Sequence, residues 1–193
     1  MSVNETKQPL PPGVFDAAMA AHRRVTEDRI RGLHARVRAV FVESIIAKLV
    51  DGEMILNPNC AWDVNMPLAG WHRPVRIQIK CSGERIARWP DKIIPASWEV
   101  DGPKKGRDER FEDLGRGYHC DVFVFARHEG KDIDRGWHFY VLSKESVEGA
   151  EPAIKRIKPL GLKGLGAKRC NPTNLKARIV EVVSRNDEFA RGL

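Results

Sequence analysis

The sequence is poor in cysteine and in aromatic residues, and it has no long apolar run. Its 193 residues include four cysteines, none of them in a C-x-x-C pair, so the ligand spacing of zinc ribbons and thioredoxin-like sites is missing. We expect these cysteines to be reduced, buried or half-buried residues of a cytoplasmic protein. No stretch approaches the run of about 18 apolar residues that a membrane span needs. Residues 1–13 lack the apolar core of a secretory signal, so we expect neither a membrane protein nor a secreted one.

Positive charge is concentrated near the end of the chain. The net charge is +7, from 33 Lys and Arg and 26 Asp and Glu. Residues 152–178 carry eight Lys and Arg and no Asp or Glu, so the rest of the chain is close to neutral. Such a distribution is typical of a surface that faces a polyanion. Within it, Gly161–Asn174 is predicted to be a glycine-rich loop that contacts phosphates, and a solvated basic loop is the alternative.

This glycine-rich stretch does not complete a nucleotide-binding motif. The spacing from Gly161 to Gly166 matches a P-loop, but Ala167 stands where the motif needs lysine, and no Ser or Thr follows Lys168. We therefore expect no nucleotide cofactor.

Hydrophobic periodicity predicts a mixed α/β domain. Helical spacing covers residues 15–50, in one helix or two, and a final helix is expected over 174–185, capped by Asn171 or Thr173. Extended segments are predicted at 61–66, 75–81, 120–126 and 137–142. We expect a flexible arm over 1–13 and a single domain over 14–193, with a long polar insert at 84–117 and a basic segment at 152–178. This order of elements predicts helices flanking a small central sheet.

Polar residues alternate with apolar residues along the second extended segment. Val75, Ile77 and Ile79 share one face, while Arg76, Gln78 and Lys80 share the other. Residues 67–74 are short enough to form a hairpin with the preceding strand. In that hairpin Trp62, Val64 and Met66 point to the core. Asp63 then lies on the opposite face, with Gln78 and Lys80.

This group of residues has the chemistry of a magnesium site. The Asp63 carboxylate, the Gln78 amide oxygen and the Ile79 carbonyl are hard oxygen ligands of the kind that Mg²⁺ prefers. Lys80 is placed to orient water or to stabilise charge that develops on a phosphate. Glu43, at the edge of the helical apolar stripe, is a further carboxylate for the metal or its water shell.

With Glu43, Asp63 and Gln78-x-Lys80 on consecutive elements, the sequence resembles the PD-(D/E)xK nuclease superfamily over residues 36–145. The resemblance implies a restriction-endonuclease-like α/β fold with an αβββαβ core, and cleavage of DNA with Mg²⁺ or Mn²⁺. It places the metal aspartate on Asp63, the second acidic position on Gln78 and the lysine on Lys80. Gln78 departs from the usual Asp or Glu but is similar to the Q-x-K variant of the Mrr-like branch. The helix expected between the third and fourth family strands is replaced by the insert.

The resemblance also implies a DNA-binding surface and leaves alternatives open. Basic residues of the insert and of the C-terminal segment are expected to contact the backbone: Lys104, Lys105, Arg107, Lys155, Arg156, Lys158, Lys163, Lys168 and Arg169. No separate recognition domain is apparent, which leaves a homodimer open as the source of a second half-site. One alternative is a catalytically inactive nuclease-fold protein that binds nucleic acid or acts as an assembly subunit. Another is a protein-interaction subunit of a defence or mobile-element system, in which these charges only solvate the surface.

Overall fold

In the computed structural model of the protein, the described residues are 9–18, 33–83, 85–86, 93–94, 98–100, 103–129, 136–150 and 156–185. Residues 14–18 are helical. The further helices are α1 (Leu33–Leu49), α2 (Lys144–Glu148), α3 (Pro159–Gly164) and α4 (Leu175–Val183), the last preceded by a 3₁₀ turn, Pro172–Asn174. The first six strands are β1 (Glu53–Met54), β2 (Val64–Met66), β3 (Val75–Gly83), β4 (Arg85–Ile86), β5 (Ile93–Ile94) and β6 (Trp98–Glu99). The other six are β7 (Lys104–Arg107), β8 (Asp113–Gly117), β9 (Val122–His128), β10 (Trp137–Ser143), β11 (Arg156–Ile157) and β12 (Arg169–Cys170).

A six-stranded mixed sheet organises the molecule. Its strand order is β1-β2-β3-β9-β10-β12, in which β3 and β9 run parallel and every other neighbouring pair is antiparallel. The remaining described strands form three two-stranded pairs, β4–β5, β6–β11 and β7–β8. The parallel pair joins a β1–β2–β3 meander to the β9–β10 hairpin, so the fold is mixed α/β, as the sequence predicts.

Both faces of this sheet are buried. On one face α1 and α4 pack in a first core built around Ile45, Ile77 and Val124. On the other face a second core surrounds Trp98, Phe123 and Tyr140. Strand β9 therefore contributes alternate side chains to both cores, which explains why it is an unbroken apolar run.

The predicted segments are found with adjusted boundaries. Strands β3, β9 and β10 fall where the alternation predicts them, and Asn171 caps the turn before α4 by accepting a hydrogen bond from the Asn174 N–H (3.1 Å). Helix α1 lies inside the predicted helical stretch, and the choice between one helix and two falls on 19–32, outside the described residues. Residues 1–8 of the predicted arm also lie outside them, whereas Leu10 packs into the first core.

Two segments predicted to be irregular have regular structure. The insert at 84–117 contains β4 to β8, and Trp98 within it is 1% exposed, in the core or interface role that its size suggests. The predicted glycine-rich loop begins inside α3 and continues into β12, so it is not an extended flexible loop. Pro159 starts α3, where its fixed φ suits a first helical turn, and Leu162 anchors that helix in the second core.

Within the described part of the chain, no helix combines the length and the apolarity needed to cross a membrane. All four cysteines are free thiols, and Cys120 is buried while the others are half-buried, as predicted.

Candidate active site

The candidate site lies where β2 and β3 stop pairing. Val64 is paired with Ile77, and the Asp63 N–H still donates to the Ile77 carbonyl (2.9 Å). One residue pair further, the side chain of Asp63 replaces the backbone of β2. Its Oδ2 accepts hydrogen bonds from the Ile79 N–H (2.5 Å) and from the Gln78 Nε2 (3.0 Å). Asp63 is thus fixed beside Gln78 and Ile79, as the hairpin pattern predicts.

The carbonyl of Ile79 points into the same opening. In a β-strand the N–H and C=O of one residue point towards the same neighbouring strand. Because the Ile79 N–H meets the Asp63 carboxylate rather than backbone, its carbonyl faces the place that β2 has left. A carboxylate, an amide and a backbone carbonyl therefore surround one gap at the end of the hairpin.

Lys80 completes this arrangement through its charge. Residue pairing sets Gln78 beside Phe123 and Lys80 beside Phe125, so both polar residues share their sheet face with the second core. Burial raises the pKa of the Asp63 carboxyl, while the Ile79 N–H, the Lys80 ammonium and the Gln78 amide act in the opposite direction. On this face of the sheet, Gln78 and Lys80 lie beside apolar side chains of the neighbouring strand.

Glu43 reaches this site from α1. It is half-buried between the buried residues Val42 and Ser44. Burial, and then the negative charge of Asp63, raise the pKa of Glu43 to about 8. Two neighbouring carboxyl groups that are hard to ionise together are a recurrent feature of functional sites.

Trp62 does not point where strand alternation predicts. It is 1% exposed and belongs to the second core, whereas Val64 and Met66 belong to the first. The regular strand begins only at Val64, and the chain bends at residues 61–63, so alternation does not extend back to the tryptophan. The Trp62 Nε1–H donates to Asn65 Oδ1 (2.9 Å), which holds the indole in the second core, next to Asp63 in sequence.

The residues at this gap suit a small divalent cation. The Gln78 nitrogen is committed to Asp63, so its oxygen is the atom left to face the opening. Asp63 Oδ1 accepts no hydrogen bond from the described residues. With Glu43 and the Ile79 carbonyl these atoms are all oxygens, the donors that Mg²⁺ and Mn²⁺ prefer. Among the described residues no group of three or more His, Cys, Asp and Glu could hold a metal, so such a site depends on two carboxylates and neutral oxygens.

Cysteine chemistry does not fit this site. Burial raises the pKa of Cys60, and it raises the pKa of Cys120, which also feels the charge of Asp63, far above the usual range. A nucleophilic cysteine needs a lowered pKa to form its thiolate. These two thiols are therefore inert residues of the surrounding core.

A β-ribbon made by β7 and β8, residues 104–117, is attached next to Asp63. The Ala61 N–H donates to the Arg107 carbonyl (2.9 Å), and Asn65 Nδ2 donates to Glu109 Oε2 (2.8 Å). Of the predicted nucleic-acid contacts, Lys105 and Arg107 are exposed on this ribbon; Lys104 lies in β7, and its side chain is outside the described part. The ribbon also carries four acidic residues, so its charge is nearly balanced.

The basic segment lies on the same side of the sheet as Gln78 and Lys80. Its residues Ile157, Leu162 and Ala167 are buried in the second core. The predicted contacts that are exposed around this anchor are Arg156, Lys158, Lys163, Lys168 and Arg169. Lys155 lies outside the described residues.

Three basic residues of the segment 152–178 form ion pairs or hydrogen bonds with acidic side chains or with histidine. Lys176 pairs with Asp51 (2.9 Å) and Arg178 with Glu181, both from α4 on the first-core side. Arg169, one of the predicted contacts, meets His138 (2.7 Å). The segment therefore has fewer positive charges available to bind a polyanion than its composition suggests.

Gly106 allows the ribbon to approach the site strand. A Cβ at this position would lie 2.4 Å from the His119 Cδ2 and 2.8 Å from the Ala61 Cβ. We expect Gly106→Ala to displace the ribbon and to lower the free energy of unfolding by about 1–3 kcal/mol, the usual cost of overpacking. Urea unfolding of the variant beside the wild type measures this.

Gly164→Ala is the matched control for that change. A Cβ at Gly164 meets nothing within 4 Å, and Gly164 ends α3, where alanine is a good helix former. Equal unfolding midpoints for the two variants would show that Gly106 is not required for ribbon packing.

One residue beside the site was not assigned a role from the sequence. Arg76 lies two residues before Gln78 on the same face of β3, and its guanidinium Cζ lies 4.1 Å from the centre of the Trp62 ring. The alternation that identifies Gln78 and Lys80 also contains Arg76. The stacking on Trp62, in contrast, depends on the bend at 61–63 and has no local sequence signal.

Neither a scan against protein-family models nor a search of curated proteins returns a match for this chain.

Proposed function

We propose that the protein is a metal-dependent nuclease that hydrolyses DNA phosphodiester bonds on a restriction-endonuclease-like core. The observation that carries the proposal is the gap between β2 and β3, where Asp63, Gln78 and the Ile79 carbonyl meet beside Lys80 and Glu43. Two strands from one hairpin and a helix supply these groups. These are the site residues that the sequence resemblance implies, and their convergence supports it.

The chain's own residues have distinct tasks in such a reaction. Asp63, Gln78, the Ile79 carbonyl and Glu43 would hold Mg²⁺ or Mn²⁺, which when bound polarises the scissile phosphate and favours ionisation of the attacking water. Lys80 provides a positive charge near Asp63, where it can stabilise negative charge on the phosphate or orient the water. Glu43, whose pKa burial and the Asp63 charge raise to about 8 in the metal-free protein, would supply its carboxylate to the metal or to a water of its shell.

The basic surface supports a polyanionic substrate. Exposed residues of the segment around Lys158 and Lys163 share the site's side of the sheet, and Arg107 lies on the ribbon attached next to Asp63. Lys and Arg contacts of this kind bind the phosphate backbone without reading its sequence.

A second candidate is a nuclease-fold protein that binds DNA without cutting it. The observation in its favour is the small number of carboxylates at the gap. Gln78 occupies the position of a third carboxylate, and its amide nitrogen donates a hydrogen bond to Asp63. A site with fewer charges binds a divalent cation more weakly. This candidate predicts salt-sensitive DNA binding without any requirement for metal.

A cleavage assay separates the two candidates. Wild type and Lys80→Ala are incubated with supercoiled, linear, branched and single-stranded DNA, with Mg²⁺, with Mn²⁺ or with EDTA. We expect the wild type to cut in the presence of a metal and Lys80→Ala to lose about 10²-fold or more in rate, the usual effect of removing a charge-stabilising group. Equal cutting by both proteins would refute the assignment of Lys80. No cutting, with salt-sensitive gel shifts, would favour the binding protein.

A further inference from the structure

Arg76 presents a fixed guanidinium at the edge of the proposed active site. It lies on β3 with Gln78 and Lys80 and is paired across the hairpin with Asn65. Its backbone is clamped on the other side of the strand, because its N–H donates to Asp121 Oδ2 and its carbonyl accepts from the Asp121 N–H, both at 2.8 Å. The starting point of the side chain is therefore rigid.

The side chain is held in place by Trp62. The guanidinium Cζ lies 4.1 Å from the centre of the indole, which itself is 1% exposed. The indole cannot turn freely, since its Nε1–H is bonded to Asn65 Oδ1 and Asn65 is in turn bonded to Glu109. The attraction between a cation and an aromatic face gives the guanidinium a preferred position over Trp62.

Within the described residues, the donors of this guanidinium have no hydrogen-bond or ion-pair partner. Arg73 pairs with Asp121, Arg127 with Glu129, and both Arg178 and Arg185 with Glu181. The Arg76 guanidinium, in contrast, forms no hydrogen bond and no ion pair within the described chain, although its side chain is only partly exposed. Its five N–H groups are thus available to solvent or to a ligand.

We infer that Arg76 binds a phosphate oxygen of the nucleic-acid backbone next to the bond that is cut. The inference rests on the proposed function, since it gives the same site a second anchor for its substrate. A planar guanidinium can donate two parallel hydrogen bonds to one phosphate, which a lysine ammonium cannot do. Arg76 precedes Gln78 and Lys80 on β3, so a phosphate bound by its guanidinium would lie at the edge of the proposed site, next to Asp63.

Equilibrium binding without metal tests this inference. Fluorescently labelled single-stranded and duplex DNA are titrated in EDTA over a series of salt concentrations with wild type, Arg76→Ala, Arg76→Lys and Arg185→Ala. We expect Arg76→Ala to weaken binding several-fold and to reduce the slope of log K against log salt by about 0.7 to 0.9, the contribution of one phosphate. Arg76→Lys keeps the charge and hence the slope, with weaker binding because the two parallel bonds are lost.

Arg185→Ala is the control for net charge. Arg185 follows α4, which packs in the first core on the opposite face of the sheet, so its removal should leave both affinity and slope unchanged. Thermal unfolding of Arg76→Ala in the same buffer shows whether that variant is folded, and Arg76→Gln, which is uncharged but longer than alanine, replaces it if it is not.

The outcomes distinguish this inference from the proposed function. An unchanged slope in Arg76→Ala, or an equal loss in Arg185→Ala, would overturn the phosphate site even if the wild type cuts DNA. Salt-sensitive binding that depends on Arg76 would support the phosphate site even if no DNA is cut. Failure of the wild-type protein to bind either single-stranded or duplex DNA would overturn the phosphate site.

Discussion

Replacing Asp63 by asparagine is expected to reduce metal-dependent DNA cleavage by about 10³-fold while leaving the fold intact. The change removes the carboxylate that bonds the Ile79 N–H at the gap, and loss of a group that stabilises charge in a reaction typically costs about 10²–10³-fold in rate. An asparagine oxygen can still accept the hydrogen bond from the Ile79 N–H. Its NH₂ group, however, then meets the Gln78 amide, which has to rotate to present its oxygen.

The measurement is the initial rate of cleavage in Mg²⁺, with Asp51→Asn as the matched control. Asp51 is an exposed aspartate paired with Lys176, away from the gap between β2 and β3. Its φ of 53° lies in the left-handed region, which asparagine tolerates well, so this variant should fold and cut like the wild type. Cleavage by Asp63→Asn at the rate of Asp51→Asn would refute the assignment of Asp63.

The second large effect is a loss of stability with rising pH in the absence of metal. Burial and the charge of Asp63 raise the pKa of Glu43 from 4.5 to about 8. Between these two values the folded protein holds a proton that the unfolded chain has released. Stability therefore falls as pH rises from about 4.5 and becomes constant above about 8. Each unit of difference in pKa corresponds to roughly 1.4 kcal/mol, so the loss amounts to several kcal/mol.

Urea unfolding in EDTA across this range, for wild type and Glu43→Gln, isolates the contribution of Glu43. The glutamine variant cannot ionise, so its stability should vary less with pH and exceed that of the wild type near pH 8. Parallel curves for the two proteins would show that Glu43 does not titrate in this way. Adding Mg²⁺ at about pH 8 should stabilise the wild type more than Glu43→Gln, because a ligand that binds only the folded state stabilises it.

Strand alternation was sufficient to identify most of the candidate site. Gln78 and Lys80 lie on the predicted face of β3, and the hairpin brings Asp63 beside Gln78. These relations depend on residues close in sequence, where side-chain direction follows from the backbone. The position of Glu43 near Asp63 could also be predicted from the sequence, because the apolar stripe of a helix packs on the sheet that follows it.

The features that sequence reasoning missed depend on distant parts of the chain. Trp98 brings the insert into the second core, and the Ala61 N–H bonds to the Arg107 carbonyl of the ribbon. Neither contact leaves a periodic pattern in the local sequence. The bend before Val64 likewise reversed the expected direction of Trp62, since alternation holds only where the chain is extended.

The parallel pairing of β3 with β9 has a consequence for folding kinetics. Strands β1, β2 and β3 follow one another closely, whereas β9 begins only at Val122, so the chain between them must close a long loop before the pair can form. Non-local contacts of this kind form slowly. We expect the β2–β3 hairpin to assemble first, with Asp63 and Gln78 already in register but still hydrated. Docking of β9 then buries the site, so the raised pKa values of Glu43 and Asp63 arise only in that later step.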